Sequence, residues 1–170
     1  SGVGKVGSKL SKLLFEKKVN LIVSNIEKDP IDQLKHDKIS FTESDINSIF
    51  EQECDIISPC ALGGVINSET KKKLKCKAIV GAANNQLDKS ETAEWLKENN
   101  IFYAPDYLVN SGGVIAISCE INNSEDTLDD QLNKISDKVL SLLKESQKSN
   151  LSTDKIAEDL AWRRINNPVI

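Results

Sequence analysis

Short apolar runs alternate with stretches of helical period along the first 104 residues, and this alternation constrains the fold more than any other feature. The strand-length runs are residues 20–24, 55–58, 78–81 and 101–104. The helical stretches are residues 5–17, 68–74 and 90–99, the last behind a Ser90 cap. Strands separated by helices pair in parallel, because each crossover returns the chain to the same end of the sheet. The predicted fold class is therefore α/β, a doubly wound, mostly parallel sheet with flanking helices.

The chain opens on SGVGKVG, a G-x-G-x-x-G pattern at Gly2, Gly4 and Gly7. In such a turn the first glycine permits a tight bend, the second lets the backbone approach a pyrophosphate, and the third lets the helix pack closely. A helix and then a strand follow at the interval of this motif, which favours a dinucleotide-binding turn over a glycine-rich surface loop. Because a strand ordinarily precedes the turn, we expect a Rossmann-type sheet that lacks its first strand, in a sequence truncated at its N terminus.

The pattern becomes helical after residue 110. The predicted elements are a helix from Gly112 or Gly113, a polar break at residues 122–126, a long amphipathic helix at residues 127–148 and a final helix near residues 153–164. Thr127 followed by Asp130 resembles a capping box, and the polar residues 29–45 are predicted to form a loop. We divide the chain into a dinucleotide-binding core at residues 1–124 and a helical C-terminal part at residues 125–170. That second part is expected to pack on the core and, in the full protein, on a catalytic domain.

The end of the second strand bears on the choice of coenzyme. An acidic residue is expected about 20 residues after the turn, where it bonds the adenosine ribose. Asn25 occupies that position, and an amide bonds a ribose hydroxyl without repelling a 2′-phosphate. Lys28 would attract such a phosphate, whereas Glu27 would restore an acidic group if it turned inward. The charges favour NAD and leave NADP open.

Three stretches rich in small residues, amides and hydroxyls follow the predicted strands. They are residues 58–64, 81–87 and 104–113. The carboxyl ends of parallel strands meet at one edge of a sheet, so these stretches are expected to form one ligand site. The alternative is that they are ordinary turns, since Asn, Gly and Pro are turn residues. Within them, Cys60 is expected to be a packed thiol rather than a nucleophile, and Asp106 either a general base or a helix cap.

Composition narrows the class of protein. Of the 170 residues, 39% are hydrophobic and 28% are charged, with a formal net charge of −4. The acidic balance argues against nucleic-acid and anionic-membrane partners, whose binding faces are basic. No apolar run approaches the roughly 20 residues that span a bilayer. The four cysteines and His36 are scattered, which argues against a metal site and favours the reducing cytoplasm.

Four segments carry a resemblance to a known family. They are GVGKVG, ECDIISPCALGGVIN, GAANNQL and YAPDYLVNSGGVI, and their order and spacing extend the resemblance over nearly the whole chain. The chain resembles the coenzyme-binding domain of the leucine/phenylalanine/valine dehydrogenases, within the amino acid dehydrogenase group that includes glutamate dehydrogenase. PCALG followed by ANNQL is more similar to the leucine dehydrogenase branch than to the glutamate branch.

The resemblance implies reversible oxidative deamination. A branched-chain L-amino acid (leucine, valine or isoleucine) would pass a hydride from Cα to NAD and yield the 2-oxo acid and ammonia. In the family, the catalytic lysines and an aspartate lie in a separate N-terminal domain, and no lysine here lies in a matching motif. The resemblance therefore assigns no catalytic residue to this chain, which is expected to be inactive alone. It also implies a homo-oligomer for the full-length protein.

The resemblance also assigns ligand-binding residues. The coenzyme-binding residues are Gly2, Gly4, Lys5, Val6, Gly7, Asn25, Cys60, Ala61, Leu62, Ala83, Asn84 and Asn110. Among them Asn25 meets the adenosine ribose. Cys60, Ala61 and Asn84 lie by the nicotinamide and its ribose. Asn110 also contacts the amino acid head group of the substrate.

The long C-terminal helix is expected to contribute to the substrate pocket. By helical phase, Val139 and Leu142 are the closest counterparts of the family's pocket residues, with core packing as the alternative for both. Their apolar character argues against a dicarboxylate substrate. Two other functions stay open: a glutamate-type dehydrogenase domain that uses NAD(P), and a non-catalytic nucleotide-binding module. Asn25 replaces the family's usual aspartate, so NADP use stays open as well.

Overall fold

The computed structural model describes residues 1–167, in which five short strands form two parallel sheets. The first sheet pairs β1 (Ile22–Val23) with β2 (Thr42–Glu43), and the second has the order β3 (Ile56–Ile57), β4 (Ala78–Ile79), β5 (Phe102–Tyr103). In the second sheet Ile57 is opposite Ile79, which is opposite Tyr103. Each of these pairings is parallel, which confirms the α/β prediction, although the strands form two sheets rather than one.

Helices account for most of the remaining regular structure. They are α1 (Lys5–Glu16), α2 (Asp29–His36), α3 (Glu91–Glu98), α4 (Asp106–Val109), α5 (Gly112–Ile121), α6 (Leu128–Ser149) and α7 (Thr153–Asn166). Short 3-10 helices lie at Ile49–Glu51, Thr70–Lys73 and Glu125–Thr127. Residues 112–166 are mainly helical, as predicted. Among residues 1–167, no helix has both the length and the apolar content that crossing a membrane requires.

The prediction of a loop at residues 29–45 is wrong, because this segment contains α2 and β2. Pro30 lies in the first turn of α2, where the helix needs no N–H from it. Acidic residues in the first turn and basic residues in the last complement the helix dipole. Ile31 and Leu34, three positions apart, are both buried. Two apolar side chains on one face are enough to fold a helix this short onto a core.

The predicted capping box at Thr127 is also wrong. The Thr127 hydroxyl donates to the carbonyl oxygen of Ser124 at 2.8 Å and does not cap α6. Ser90 likewise makes no capping bond to α3. A cap does form at α7, where the Ser152 hydroxyl accepts a hydrogen bond from the Lys155 N–H at 3.2 Å. Capping requires an extended residue before the helix, and Ser152 is extended whereas Thr127 and Ser90 are helical.

Two clusters of buried apolar side chains form the core. The larger cluster lies around the three-stranded sheet and includes Ile57, Ile66, Ile79, Leu96 and Tyr103. The smaller cluster consists of Val3, Val23, Ile31 and Leu34. Val3 lies between two glycines of the N-terminal turn and is only 3% exposed. The smaller core therefore anchors the glycine turn beside the end of β1.

Candidate functional site

The glycine turn packs closely against its neighbours, which explains two of its three glycines. Gly2 has a φ of +85°, and a Cβ on it would lie 2.5 Å from the Cβ of Ala61. A Cβ on Gly7 would lie 2.0 Å from the carbonyl oxygen of Gly2. A Cβ on Gly4, by contrast, would have no neighbouring atom within 4 Å. The fold therefore requires Gly2 and Gly7, whereas Gly4 leaves open space beside the turn.

The N terminus of α1 is open to an anion. Gly4 precedes the helix, and within the described residues no side chain caps this end and no acidic residue lies in the first turn. The N–H groups of a first helical turn lack intrahelical partners, and together with the helix dipole they attract negative charge. Lys5 and Val6 supply the first of these N–H groups. The turn can therefore hold a phosphate through its backbone.

Asn25 joins the glycine turn to the end of β1. Its Oδ1 atom accepts a hydrogen bond from the Val3 N–H, and its Nδ2 atom donates to the carbonyl oxygen of Glu27, both at 2.9 Å. An amide has one further acceptor lone pair and one further N–H that a ribose hydroxyl can use. Asn25 is thus held at the position where an acidic residue is expected, and it brings no charge there. The side chains of Glu27 and Lys28 are exposed nearby in the sequence.

The loop that follows β3, residues 60–64, touches two parts of the candidate site. At one end, Ala61 closely contacts Gly2 of the glycine turn. At the other, a Cβ on Gly63 would lie 2.7 Å from the carbonyl oxygen of Asn84, in the loop that follows β4. The structure therefore links Gly2, Ala61 and Asn84 through one loop, and the family resemblance assigns these three residues to one coenzyme.

Asn84 and Asn110, which follow β4 and β5 of the three-stranded sheet, form an amide pair. The Nδ2 atom of Asn110 donates to the Oδ1 atom of Asn84 at 2.5 Å, which joins the loop after β4 to the end of α4. Asn84 is exposed and Asn110 is half-buried. Within residues 1–167, the Nδ2 atom of Asn84 and the Oδ1 atom of Asn110 make no hydrogen bond to the protein. The amide pair thus presents the NH2 group of Asn84 and the carbonyl oxygen of Asn110 to a ligand.

A buried carboxylate lies behind the amide pair. The Oδ2 atom of Asp106 accepts hydrogen bonds from the Gln86 N–H at 2.8 Å and from the Tyr103 hydroxyl at 3.0 Å. Burial, and then the Asp106 carboxylate, raise the pKa of Tyr103 well above its ordinary value, so its hydroxyl remains a donor. Asp106 bonds groups outside α4, so it is not the cap that the sequence suggested. Gln86 lies in the candidate stretch 81–87, but the sequence did not single it out, because nothing in the local pattern distinguishes it from the neighbouring amides.

Burial keeps two of the four cysteines as protonated thiols. All four thiols are free. Burial raises the pKa of Cys54, and it raises the pKa of Cys76 to about 11, so both stay protonated. Cys60 is half-buried, with its Sγ atom 3.5 Å from the Ser58 hydroxyl. In the part of the chain that the structure describes, no three His, Cys, Asp or Glu side chains are grouped to hold a metal ion.

The other predicted contact residues differ in exposure. Val6 and Leu62 are exposed, whereas Ala83 is buried. On α6, Val139 is half-buried and Leu142 is only 4% exposed. Their roles as ligand contacts stay predictions. The low exposure of Leu142 agrees with the alternative interpretation, in which this residue packs in the core.

Comparison with known proteins identifies the family. A model of the glutamate/leucine/phenylalanine/valine dehydrogenases matches residues 1–167. The chain belongs to this family. The resemblance found in the four sequence segments is therefore confirmed at the level of the family, whose members named below are amino acid dehydrogenases.

Individual relatives match the chain over similar lengths, but their names give different substrates. Phenylalanine dehydrogenase from Thermoactinomyces intermedius is 38% identical over 168 residues, and leucine dehydrogenase from Bacillus subtilis is 39% identical over 166 residues. Each match covers 96% of this chain and 45% of the relative, so the chain spans about half the length of these relatives. The crystal structure of L-tryptophan dehydrogenase from Nostoc punctiforme matches with a TM-score of 0.92 at 34% identity, over 98% of this chain and 50% of that one. Three substrates at similar identity leave the substrate of this family member open.

Proposed function

We propose that this chain is the coenzyme-binding part of an NAD-dependent dehydrogenase that reversibly deaminates a branched-chain L-amino acid to its 2-oxo acid. The observation that carries the proposal is the loop at residues 60–64, which touches the glycine turn through Ala61 and the Asn84 loop through Gly63. A phosphate-binding turn and a pair of free amide groups therefore belong to one continuous edge. That arrangement suits a ligand with a pyrophosphate at one end and a carboxamide at the other.

The residues at the turn fit the phosphates of a dinucleotide. The N terminus of α1 carries no acidic residue in its first turn, and Gly4 leaves the space that a pyrophosphate needs. The backbone N–H groups of residues 4–6 would hold the phosphates. When bound, the nicotinamide coenzyme supplies the acceptor for the hydride, and the chain's task is to position it.

We further propose NAD as the coenzyme, with no acidic side chain at residue 25 to exclude NADP. Asn25 keeps one lone pair and one N–H for a ribose hydroxyl beyond its bonds to Val3 and Glu27. Because the amide is neutral, it does not repel a 2′-phosphate as a carboxylate would. The exposed Lys28 adds positive charge close in sequence, and Glu27 offsets it.

The amide pair is proposed to orient both reactants. The free Oδ1 atom of Asn110 would accept a hydrogen bond from the ammonium group of the amino acid. The free Nδ2 atom of Asn84 would donate to the nicotinamide ribose or carboxamide. Val139 and Leu142 of α6 are proposed to line the aliphatic pocket, and α6 packs against α4, whose C-terminal end carries Asn110.

The surface of α5 supports a larger assembly. Val114, Ile117 and Ile121 are more than half exposed and lie on one face of the helix. We propose that the full-length protein is a cytoplasmic homo-oligomer in which residues 1–124 bind the coenzyme and residues 125–170 pack between this core and the catalytic domain. An apolar face of this kind is normally covered in the assembled protein.

Steady-state kinetics of the complete gene product test the proposal. L-leucine, L-valine, L-isoleucine, L-phenylalanine, L-tryptophan and L-glutamate are each oxidised with NAD and with NADP, and the reduced coenzyme is followed by absorbance. The expected result is the highest kcat/KM for a branched-chain substrate with NAD. A preference for an aromatic substrate or glutamate would contradict the substrate assignment. Coenzyme binding without turnover of any of these amino acids would favour the non-catalytic module.

A further inference from the structure

Asp106 is a buried carboxylate whose two partners come from different parts of the chain. The side chain belongs to a residue that is only 7% exposed, at the first position of α4. Its Oδ2 atom accepts from the Gln86 N–H, 20 residues earlier, and from the Tyr103 hydroxyl at the end of β5. A buried charge is costly unless it is hydrogen-bonded, so these two donors are what make the site tolerable.

The same residue is connected to both members of the amide pair. Through its carboxylate, Asp106 holds the backbone of Gln86, two positions after Asn84. Through its carbonyl oxygen, it accepts a hydrogen bond from the Asn110 N–H at 2.8 Å. Asp106 therefore links the two backbones from which the amides of Asn84 and Asn110 extend.

The amide pair itself provides little rigidity. Asn84 is exposed, so the hydrogen bond between the two amides competes with water and contributes little net stability. The hydrogen bonds to the Asp106 carboxylate are charge-assisted and shielded from water, and such bonds are roughly twice as strong. Gln86 adds to this support, because its buried Nε2 atom donates to the carbonyl oxygen of Ala83 at 2.9 Å.

We propose that Asp106 is a positioning residue that sets the separation of Asn84 and Asn110, and thereby the binding of the coenzyme and the amino acid. The proposal rests on the proposed function for its ligands. It does not make Asp106 a catalytic acid or base, since its carboxylate faces Gln86 and Tyr103. A misplacement of the amides by about 1 Å would be enough to reduce turnover strongly.

The test compares Asp106→Ala with Asp106→Asn in the complete gene product. Alanine removes both hydrogen bonds of the carboxylate. Asparagine can keep an oxygen at the Oδ2 position, where it accepts from both the Gln86 N–H and the Tyr103 hydroxyl, and it removes only the charge. Tyr103→Phe removes the bond from the hydroxyl to the Asp106 carboxylate and the bond that the hydroxyl accepts from the Asp106 N–H at 3.3 Å, but it keeps the Gln86 bond. Asp88→Ala is the matched control, because the Asp88 carboxylate lies two residues beyond Gln86 but bonds the Thr92 hydroxyl of α3.

Two measurements are made on each variant. Hydrogen exchange followed by mass spectrometry reports the protection of residues 82–87 without any ligand. NADH fluorescence titration and steady-state kinetics report the coenzyme Kd, kcat and KM. For Asp106→Ala we expect faster exchange in residues 82–87, a coenzyme Kd raised roughly tenfold or more and a lower kcat. Asp106→Asn is expected to remain within about threefold of wild type, and Asp88→Ala to match wild type in both measurements.

Several results would overturn the proposal. If Asp106→Ala has the same hydrogen exchange and coenzyme Kd as wild type, the carboxylate does not hold residues 82–87 in place. Equal losses in Asp106→Ala and Asp88→Ala would show only general destabilisation. If Asp106→Ala does not fold, the other two variants decide. The hydrogen-bonding role is contradicted if Tyr103→Phe has the hydrogen exchange and kinetics of wild type while Asp106→Asn loses coenzyme affinity and activity strongly. If wild type oxidises no amino acid, the proposed function fails, and the exchange of residues 82–87 still decides the role of Asp106.

Discussion

The glycine turn and the amide pair both adjoin the loop at residues 60–64 but work in different ways. The turn offers backbone N–H groups, and its side chains matter mainly by their absence, as at Gly2 and Gly7. The amide pair offers side-chain atoms, and its geometry depends on Asp106 and Gln86 behind it. The first is a local structure within seven residues, whereas the second joins residues 26 positions apart. A sequence motif therefore identifies the glycine turn directly, whereas the sequence identifies Asn84 and Asn110 only as candidate site residues.

Within the glycine turn, some glycines are needed for stability and another for ligand binding. Gly2 and Gly7 face the protein, and Gly4 faces open space. A side chain on the first two disturbs the fold, and a side chain on the third disturbs only what approaches the turn. The substitutions below test this division and its counterpart in the loops.

Gly7→Ala is expected to have the largest effect. Its Cβ would lie 2.0 Å from the backbone oxygen of Gly2, so α1 or the turn must move. We expect the free energy of unfolding to fall by about 3 kcal/mol, with loss of coenzyme binding. Urea denaturation and NADH titration measure the two effects.

Gly4→Ala is the matched control for that substitution. It meets no atom within 4 Å, so its free energy of unfolding should stay within about 0.5 kcal/mol of wild type. Coenzyme affinity should nevertheless fall, because the Cβ would occupy the approach to the phosphates. Equal destabilisation by both substitutions, or unchanged affinity in Gly4→Ala, would contradict the division within the turn.

Gly63→Ala tests the contact between the loops after β3 and β4. Its Cβ would lie 2.7 Å from the Asn84 oxygen and 2.9 Å from the Asn85 oxygen. We expect about 2 kcal/mol of destabilisation and a larger rise in KM for the amino acid than Gly64→Ala causes. Gly64 has a φ of +67° and open space around it, so alanine there should cost about 1 kcal/mol by backbone strain alone. Equal KM values for the amino acid in Gly63→Ala and Gly64→Ala would show that the contact between Gly63 and the Asn84 loop does not affect the amide pair.

Asn25→Asp sharpens the choice of coenzyme. The new carboxylate can still accept from the Val3 N–H, but its charge would repel a 2′-phosphate. The ratio of kcat/KM for NAD over NADP should therefore rise about tenfold, since one unit of charge repulsion near the surface is on the order of 1 kcal/mol. Asn25→Ala should weaken both coenzymes alike, because it releases the turn. An unchanged ratio in Asn25→Asp would place the 2′-hydroxyl away from this residue.

Asp154→Asn is expected to have the smallest effect, seen only in the pH dependence of stability. Burial raises the pKa of Asp154 above its ordinary value of 3.8, and the carboxylates of Asp106, Glu158 and Glu94 add to this, while the Tyr107 hydroxyl opposes it. The folded state therefore binds the proton more tightly than the unfolded state. Relative to the variant, wild type should gain stability as the pH falls through the raised folded pKa towards 3.8, and should lose it as the pH rises.

Asp88→Asn provides the opposite sign as a control. The Thr92 hydroxyl lowers the pKa of Asp88 below 3.8, so wild type should lose stability relative to this variant as the pH falls through the folded pKa. Thermal unfolding across the acidic range distinguishes the two slopes. Parallel slopes for Asp154→Asn and Asp88→Asn would contradict the burial of Asp154.

The sequence predicted the elements that repeat a simple period over many residues. The long helix α6, the start of α5 at Gly112 and the strands at Ile57 and Ile79 follow the predicted pattern. The loop prediction at residues 29–45 failed because α2 buries only Ile31 and Leu34, too few side chains to establish a period. The cap at Thr127 failed because the chain enters α6 through a 3-10 turn, which the local sequence does not reveal.

The amino-acid sequence by itself determined the α/β class, the glycine turn and the family, because these depend on local spacing and on short segments that can be compared directly. Only the tertiary structure decided which face of each glycine is filled, that Asn84 and Asn110 share a hydrogen bond, and that Asp106 is buried behind them. Apart from the contact of Gly7 with Gly2, these features are set by contacts between residues 20 to 60 positions apart, whose distances follow from how the strands pair and how the loops pack. A residue's type limits what it can bond, and the fold decides which partner is within reach.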